Sequence, residues 1–176
     1  MKDELTMKVH IIKREQFLAR PIEDVFAFFN RPENLAKITP ESLGFKILTP
    51  QPLNMKEGAI IDYTIKPLFF DMHWRTYISD YTPPRSFVDE QLKGPYKFWH
   101  HRHSFESVEG GTMVRDEVRY ALPFGIFGEI AHALFIKRQL NRIFDHRTII
   151  ISEYFSRDIT IDGKRSDNHK DAGKSR

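Results

Sequence analysis

Three of the chain's eight histidines fall in one stretch, Gly94-Pro95-Tyr96-Lys97-Phe98-Trp99-His100-His101-Arg102-His103-Ser104-Phe105. On a strand, alternation puts Trp99, His101, His103 and Phe105 on one face and His100, Arg102 and Ser104 on the other. Two aromatic rings bracketing two imidazoles mark the first face as the inward one. Past the turn Glu109-Gly110-Gly111, Thr112, Val114, Asp116, Val118 and Tyr120 share a face, opposite Met113, Arg115, Glu117 and Arg119. The charge-rich face belongs to water, so Asp116 joins the imidazoles inside. On the preceding strand, packing Phe87 beside Phe105 brings Asp89 and Gln91 to the same interior, and a one-residue slip would reverse this. The candidates for chemistry are therefore His101, His103 and Asp116. Trp99, Asp89, Gln91, Trp74, Phe105, Tyr120 and Phe28 are the candidates for holding a ligand, with Phe28 as a lid residue.

Three chemistries suit such a cluster. His-x-His on a strand can present two imidazoles to one metal ion, with Asp116 as third ligand. The cupin form of that motif fails, because six positions on from Gly94 is His100, whose i+2 neighbour is Arg102; no metal and no cofactor is expected. An imidazole oriented by a carboxylate can instead move a proton on a bound carbonyl compound. The third option is that His and Asp satisfy one another and merely line and orient. No nucleophile elbow, phosphate-cradling glycine loop or dinucleotide fingerprint accompanies them.

The elements that must position these residues are legible in the punctuation. Residues 9–19 read as a strand. After Arg20-Pro21, the residues Ile22, Val25, Phe26 and Phe29 form a helical stripe with Glu23 and Asp24 in the first turn. A second short helix follows Pro32, burying Leu35 and Ile38. From residue 43 to 122, prolines and glycines cut the chain into six strand-length pieces, near 43–49, 58–66, 69–81, 86–93, 97–107 and 112–121, joined by hairpin-length connections. After Leu122-Pro123-Phe124-Gly125 the period becomes helical. Ile126, Ile130, Leu134, Leu140, Phe144, Thr148, Ile151 and Phe155 share one side of a long helix, with Lys137, Arg138, Asn141, Arg142 and Arg147 mostly on the wet side. The fold class expected is α+β, with residues 8–155 forming one domain, 1–7 a flexible N-terminus and 156–176 a polar, disordered tail.

Composition narrows the function. The chain has 176 residues, no cysteine and a formal charge of +3, and Ser156 to Arg176 contributes two of those charges. The nearly neutral body argues against nucleic-acid binding. Absence of cysteine excludes disulfides and thiolate chemistry. The charged N-terminus lacks a secretory apolar stretch, and no run approaches the roughly 18 apolar residues of a membrane span; a cytoplasmic location is expected. Phe124, Ile126 and Phe127 beside a basic helix face suggest peripheral contact with a membrane.

The order of these motifs resembles the START-like ligand-binding superfamily, also called SRPBCC, and within it the polyketide cyclase/dehydrase-like and carbon-monoxide-dehydrogenase-subunit-G-like branch. The resemblance runs from Arg20-Pro21 and Val25-Phe26-Ala27-Phe28-Phe29 through Pro32-Glu33-Asn34-Leu35, Gly94-Pro95-Tyr96 and Trp99 to Phe105, and on to Gly110-Gly111-Thr112, Pro123-Phe124-Gly125 and Leu140 to Arg147. It implies a helix-grip fold, a curved seven-stranded antiparallel sheet wrapped around a long C-terminal helix with two short helices after the first strand. It implies carriage of a lipid, quinone or polyketide-like molecule in the cavity between sheet and helix, or a cofactor-independent cyclase/dehydratase there. An epimerase-like reductase partner is a further implication. No catalytic residue set is uniform across the superfamily, so none is transferred.

Overall fold

Gly110, at φ 79°, turns the chain between two paired eleven-residue strands, where a side chain would be strained. In a computed structural model, residues 7–67 and 70–167 are described, with side chains of the last helix through residue 156. Strand β1 (His10–Leu18) leads into helices α1 (Ile22–Phe29) and α2 (Glu33–Ile38) and a 3-10 turn at Glu41–Leu43. Six strands follow: β2 (Lys46–Ile47), β3 (Ile60–Ile65), β4 (Met72–Thr82), β5 (Ser86–Lys93), β6 (Phe98–Val108) and β7 (Gly111–Ala121). Helix α3 (Ile126–Ala131), a π-turn (His132–Ile136) and α4 (Lys137–Asp167) complete the described elements. All seven strands pair antiparallel in the order β1-β7-β6-β5-β4-β3-β2. This is the helix-grip arrangement expected.

Alternation decides what faces α4. In β6, Trp99, His101, His103 and Phe105 are buried, and in β7 Thr112, Val114, Val118 and Tyr120 are. Two apolar clusters result. One gathers Phe26, Phe28, Phe87, Phe105, Ile151 and Phe155; the other Ile12, Trp99, Val118, Tyr120, Leu140 and Phe144. They grip α4 at two successive levels. Side-chain bonds fasten the same helix to β1: Arg14 Nη2 donates to Asn141 Oδ1 at 2.8 Å and Gln16 Nε2 to the Thr148 carbonyl at 2.9 Å.

Several expectations need correction. The helix expected from Ile126 onward is not continuous, because the π-turn at His132–Ile136 adds a residue's worth of rotation and resets the phase. Ile126, Ile130 and Leu134, read as sharing one side with Leu140 and Phe144, consequently point to solvent, while Leu140, Phe144, Ile151 and Phe155 keep their inward stripe. The backbone of α4 runs to Asp167. Residues 168–176, and residues 1–6 of the expected flexible N-terminus, lie outside the described residues. The strand expected over 43–49 shrinks to Lys46–Ile47, since the 3-10 turn closes on Gly44 at φ 52°. No helix among the described residues is long and apolar enough to cross a membrane.

Candidate functional site

The register places four titratable side chains around one point of the inward face. Asp89 on β5 pairs with His101 on β6, and His103 on β6 pairs with Asp116 on β7. The two imidazoles are therefore flanked by a carboxylate from each neighbouring strand. His101 Nε2 donates to Asp116 Oδ1 at 3.0 Å, and His101 Nδ1 lies 3.3 Å from Asp89 Oδ2. His103 Nε2 donates to Asp89 Oδ2 at 3.0 Å. His103 Nδ1 is 2.8 Å from Asp116 Oδ1, yet off the line of a hydrogen bond. The ring centroids of His101 and His103 are 3.8 Å apart.

The quartet's charges are mutually sustained. Burial alone would raise both carboxyls, but the charge of the imidazoles and their hydrogen bonds outweigh it, holding Asp89 and Asp116 below the usual carboxylate range. Burial likewise opposes the His101 cation, and Asp89 beside it with bonds from both carboxylates raises its pKa nonetheless. An ionised carboxylate only accepts, so each imidazole nitrogen hydrogen-bonded to one is the donor.

Three of the four, Asp89, His101 and His103, open onto a cavity of about 780 Å³ between the sheet and the helices. Its sheet wall is Ile61, Tyr63, Trp74, Thr76, Ile78, Phe87 and Trp99; α2 contributes Leu35 and Ile38; α4 contributes Leu140, Ile143, Phe144 and Arg147. Volume and apolar lining fall in the range of small-molecule sites, roughly 300 to 1,000 Å³. Trp74, Tyr96 and Trp99 cluster at one end, with Trp74 edge-on to Trp99 at 5.3 Å between centroids. Two buried donors on cavity-lining residues, Trp74 Nε1 and Arg147 Nε, have no hydrogen-bond partner among the described residues. The Arg147 guanidinium rests 5.4 Å from the Phe144 ring centroid. Burial raises the Tyr63 phenol, with the Asp89 charge adding to it, so it stays protonated within 3.3 Å of Thr76 Oγ1.

The remaining candidates divide between the cavity wall and its surroundings. Asp116 belongs to the quartet but not to the cavity wall. Gln91 exchanges hydrogen bonds with the backbone of Tyr96, closing the β5–β6 turn. Phe105 is core, 5.4 Å from Phe26 and 5.1 Å from Phe29 between centroids. Tyr120 spends its hydroxyl on His132 Nε2 at 2.8 Å, tying the π-turn to the sheet. Phe28 lines the cavity from within, buried against Tyr154 and Phe155 rather than placed as a lid. Trp74 faces inward, while Arg75 turns out to Asp62. Arg147, read as wet, faces the cavity. Its spacing could have found it: it stands three residues after Phe144 and four before Ile151, inside the apolar stripe.

One rim of the cavity is bare. Phe124, Ile126 and Phe127 are 82%, 71% and 75% exposed, and Phe124 holds φ 68°, a left-handed backbone that costs an aromatic residue about 1 kcal/mol. Phe124 and Phe127 also touch the cavity. Gly128 lets α3 press onto the Pro123 carbonyl, where any Cβ would collide, which fixes this corner.

Residues 18–147 match the family described as "Polyketide cyclase / dehydrase and lipid transport". Among solved structures, the Zhui aromatase/cyclase from Streptomyces sp. R1128 is similar at 12% identity and a TM-score of 0.66, covering 86% of this chain and 96% of that one. Norcoclaurine synthase of Thalictrum flavum is similar at 14% identity and 0.60, over 86% and 99% of the two chains. The ginseng major latex-like protein 151 from Panax ginseng is similar at 10% and 0.61, over 84% and 97%. At these identities the likeness is one of fold. No curated protein matches the sequence.

Proposed function

The chain belongs to the polyketide cyclase/dehydrase and lipid transport family, and from that premise we propose that it binds a hydrophobic, ring-bearing molecule with oxygen acceptors, of lipid, quinone or polyketide-like class. The observation that carries this reading is an apolar cavity of about 780 Å³ flanked by donors left unpaired, Trp74 Nε1 and Arg147 Nε. Buried donors without partners cost on the order of 1 to 3 kcal/mol each, which an acceptor oxygen on a ligand would recover. The chain's two tryptophans, Trp74 and Trp99, both line the cavity, so intrinsic fluorescence reports its occupancy.

The test joins two measurements on the full chain purified without detergent: native mass spectrometry with extraction of bound compounds, and tryptophan quenching by a planar hydroxyanthraquinone. A co-purified hydrophobic compound, or saturable quenching that weakens about tenfold in Arg147→Met, is the expected result. A protein that carries nothing and shows no saturable quenching overturns it. Catalysis is the second reading, favoured by Asp89, His101 and His103 on the cavity wall; an acid–base role requires the extracted compound, or a polyketide-like mimic, to be converted, and His103→Ala to stop conversion without abolishing quenching.

The bare rim supports loading from a lipid bilayer. Lys137, Arg138 and Arg142 follow it along the chain, exposed and in no ion pair among the described residues, which suits an anionic surface. Vesicles containing a quarter phosphatidylglycerol are expected to co-sediment the protein, with Phe124→Gly/Phe127→Ser reducing this several-fold while leaving the melting temperature level or higher, since glycine relieves the φ at 124. Vesicles that leave the protein in the supernatant, or binding equal in the variant, refute bilayer contact through this rim and leave it to a protein partner such as an epimerase-like reductase.

A further inference from the structure

The quartet is asymmetric in a way that hydrogen bonding among its members does not require. Each imidazole directs one nitrogen to Asp116 and the other to Asp89: His101 uses Nε2 and Nδ1, His103 uses Nδ1 and Nε2. Asp89 opens to the cavity and Asp116 does not. Ligand atoms, one each from Asp89, His101 and His103, lie within 4.8 Å of one another, and Asp89 Oδ2 is 3.3 Å from His101 Nδ1 and 3.0 Å from His103 Nε2.

We propose that Asp89, His101 and His103 form a two-histidine, one-carboxylate site for a divalent transition-metal cation, Zn²⁺ being the representative, with Asp116 orienting both imidazoles from behind. Three features support it. First, bonds of about 2.0 to 2.1 Å in a tetrahedron separate neighbouring ligand atoms by about 3.3 Å, close to the separations between the oxygen and the two nitrogens. Second, a metal-bound imidazole typically gives its other N–H to a carboxylate, as His101 Nε2 does to Asp116 Oδ1 at 3.0 Å, and the same oxygen stands 2.8 Å from His103 Nδ1. Third, Asp89 keeps 18% side-chain exposure and lines the cavity together with both imidazoles, so a cation can reach all three residues from that side. The third ligand is thus Asp89 and not Asp116, the residue that strand alternation alone suggests. The open coordination position faces the cavity, where it would take an oxygen of the bound molecule. This assignment of the ligand-facing position rests on the binding function proposed above; metal binding itself is measured without any organic ligand, so the two readings fail separately.

The experiment titrates Co²⁺ into the EDTA-treated full chain, followed by visible absorption, with Zn²⁺ as competitor and elemental analysis for stoichiometry. One equivalent of Co²⁺ with four- or five-coordinate d–d bands, displaced by Zn²⁺, is expected. Asp89→Asn and His103→Ala should weaken binding at least a hundredfold, and Asp116→Asn roughly ten- to a hundredfold with the bands retained. His10→Gln, in the separate cluster with Glu129 and His132, should change nothing. The wild-type protein alone gives a second readout that survives any failure of the variants to fold: two exchangeable imidazole N–H resonances shifted by paramagnetic Co²⁺. No Co²⁺ or Zn²⁺ bound at 100 µM, binding unmoved in Asp89→Asn, or binding lost in His10→Gln each overturns the proposal.

Discussion

Asp116→Ala is expected to cost the metal-free protein about 3 kcal/mol, a fall in melting temperature of about 10 °C at this chain length. The carboxylate lies between His101 Nε2 and His103 Nδ1 at 3.0 and 2.8 Å, with 14% side-chain exposure. Removing it strands two imidazoles on Asp89 alone, and an uncompensated buried charge is what makes breaking such a pair costly. Taking out a partner as well should restore part of the loss: Asp116→Leu/His103→Leu leaves Asp89 with His101 and fills the gap with apolar volume. Thermal melts of the two single leucine variants and the double variant close a cycle whose coupling should exceed 1 kcal/mol. Additive effects would mean that the quartet does not act as a unit.

That quartet was partly legible in the sequence. Period-two alternation from Trp99 to Phe105 and from Thr112 to Tyr120 was enough to bring His101, His103 and Asp116 together, because the Gly110 turn fixes the hairpin register. Asp89 followed from placing Phe87 inward. Gln91 did not, although it shares that alternation. The β5–β6 turn claims its amide through the Tyr96 backbone, and a turn's hydrogen-bond needs are invisible to a pattern of apolar residues. Phe105 and Tyr120 lie off the cavity for a different reason: facing inward is not the same as facing a cavity, and α1 and the π-turn cover those ends of the strands. The phase slip at His132 was equally hidden, since a π-turn has no strong residue preference, and it reversed the assignments of Ile126, Ile130 and Leu134. Element order was more readable than facing because prolines and glycines act locally, whereas which inward side chains meet empty space depends on how far α4 stands off the sheet.

Filling the cavity should abolish ligand uptake without unfolding the protein, and Thr76→Trp/Ile143→Trp is the variant that separates the two. Thr76 on β4 and Ile143 on α4 line the cavity from opposite walls, so indoles placed there occupy its centre. Overpacking a dense core typically costs about 1 to 3 kcal/mol, because neighbours must leave their rotamers; here the added rings enter vacant volume, and the loss should stay near the low end. The Thr76 hydroxyl gives up only a 3.3 Å contact with the Tyr63 hydroxyl, a small sacrifice beside the apolar surface gained. Uptake of the hydroxyanthraquinone, followed by ligand absorbance after gel filtration because the new tryptophans alter the fluorescence baseline, should fall about a hundredfold. Co²⁺ affinity should change far less, since neither position belongs to the Asp89, His101 and His103 set. Undiminished uptake with a native melting profile would place the ligand outside the cavity, and the exposed rim at Phe124 and Phe127 would become the site to test next.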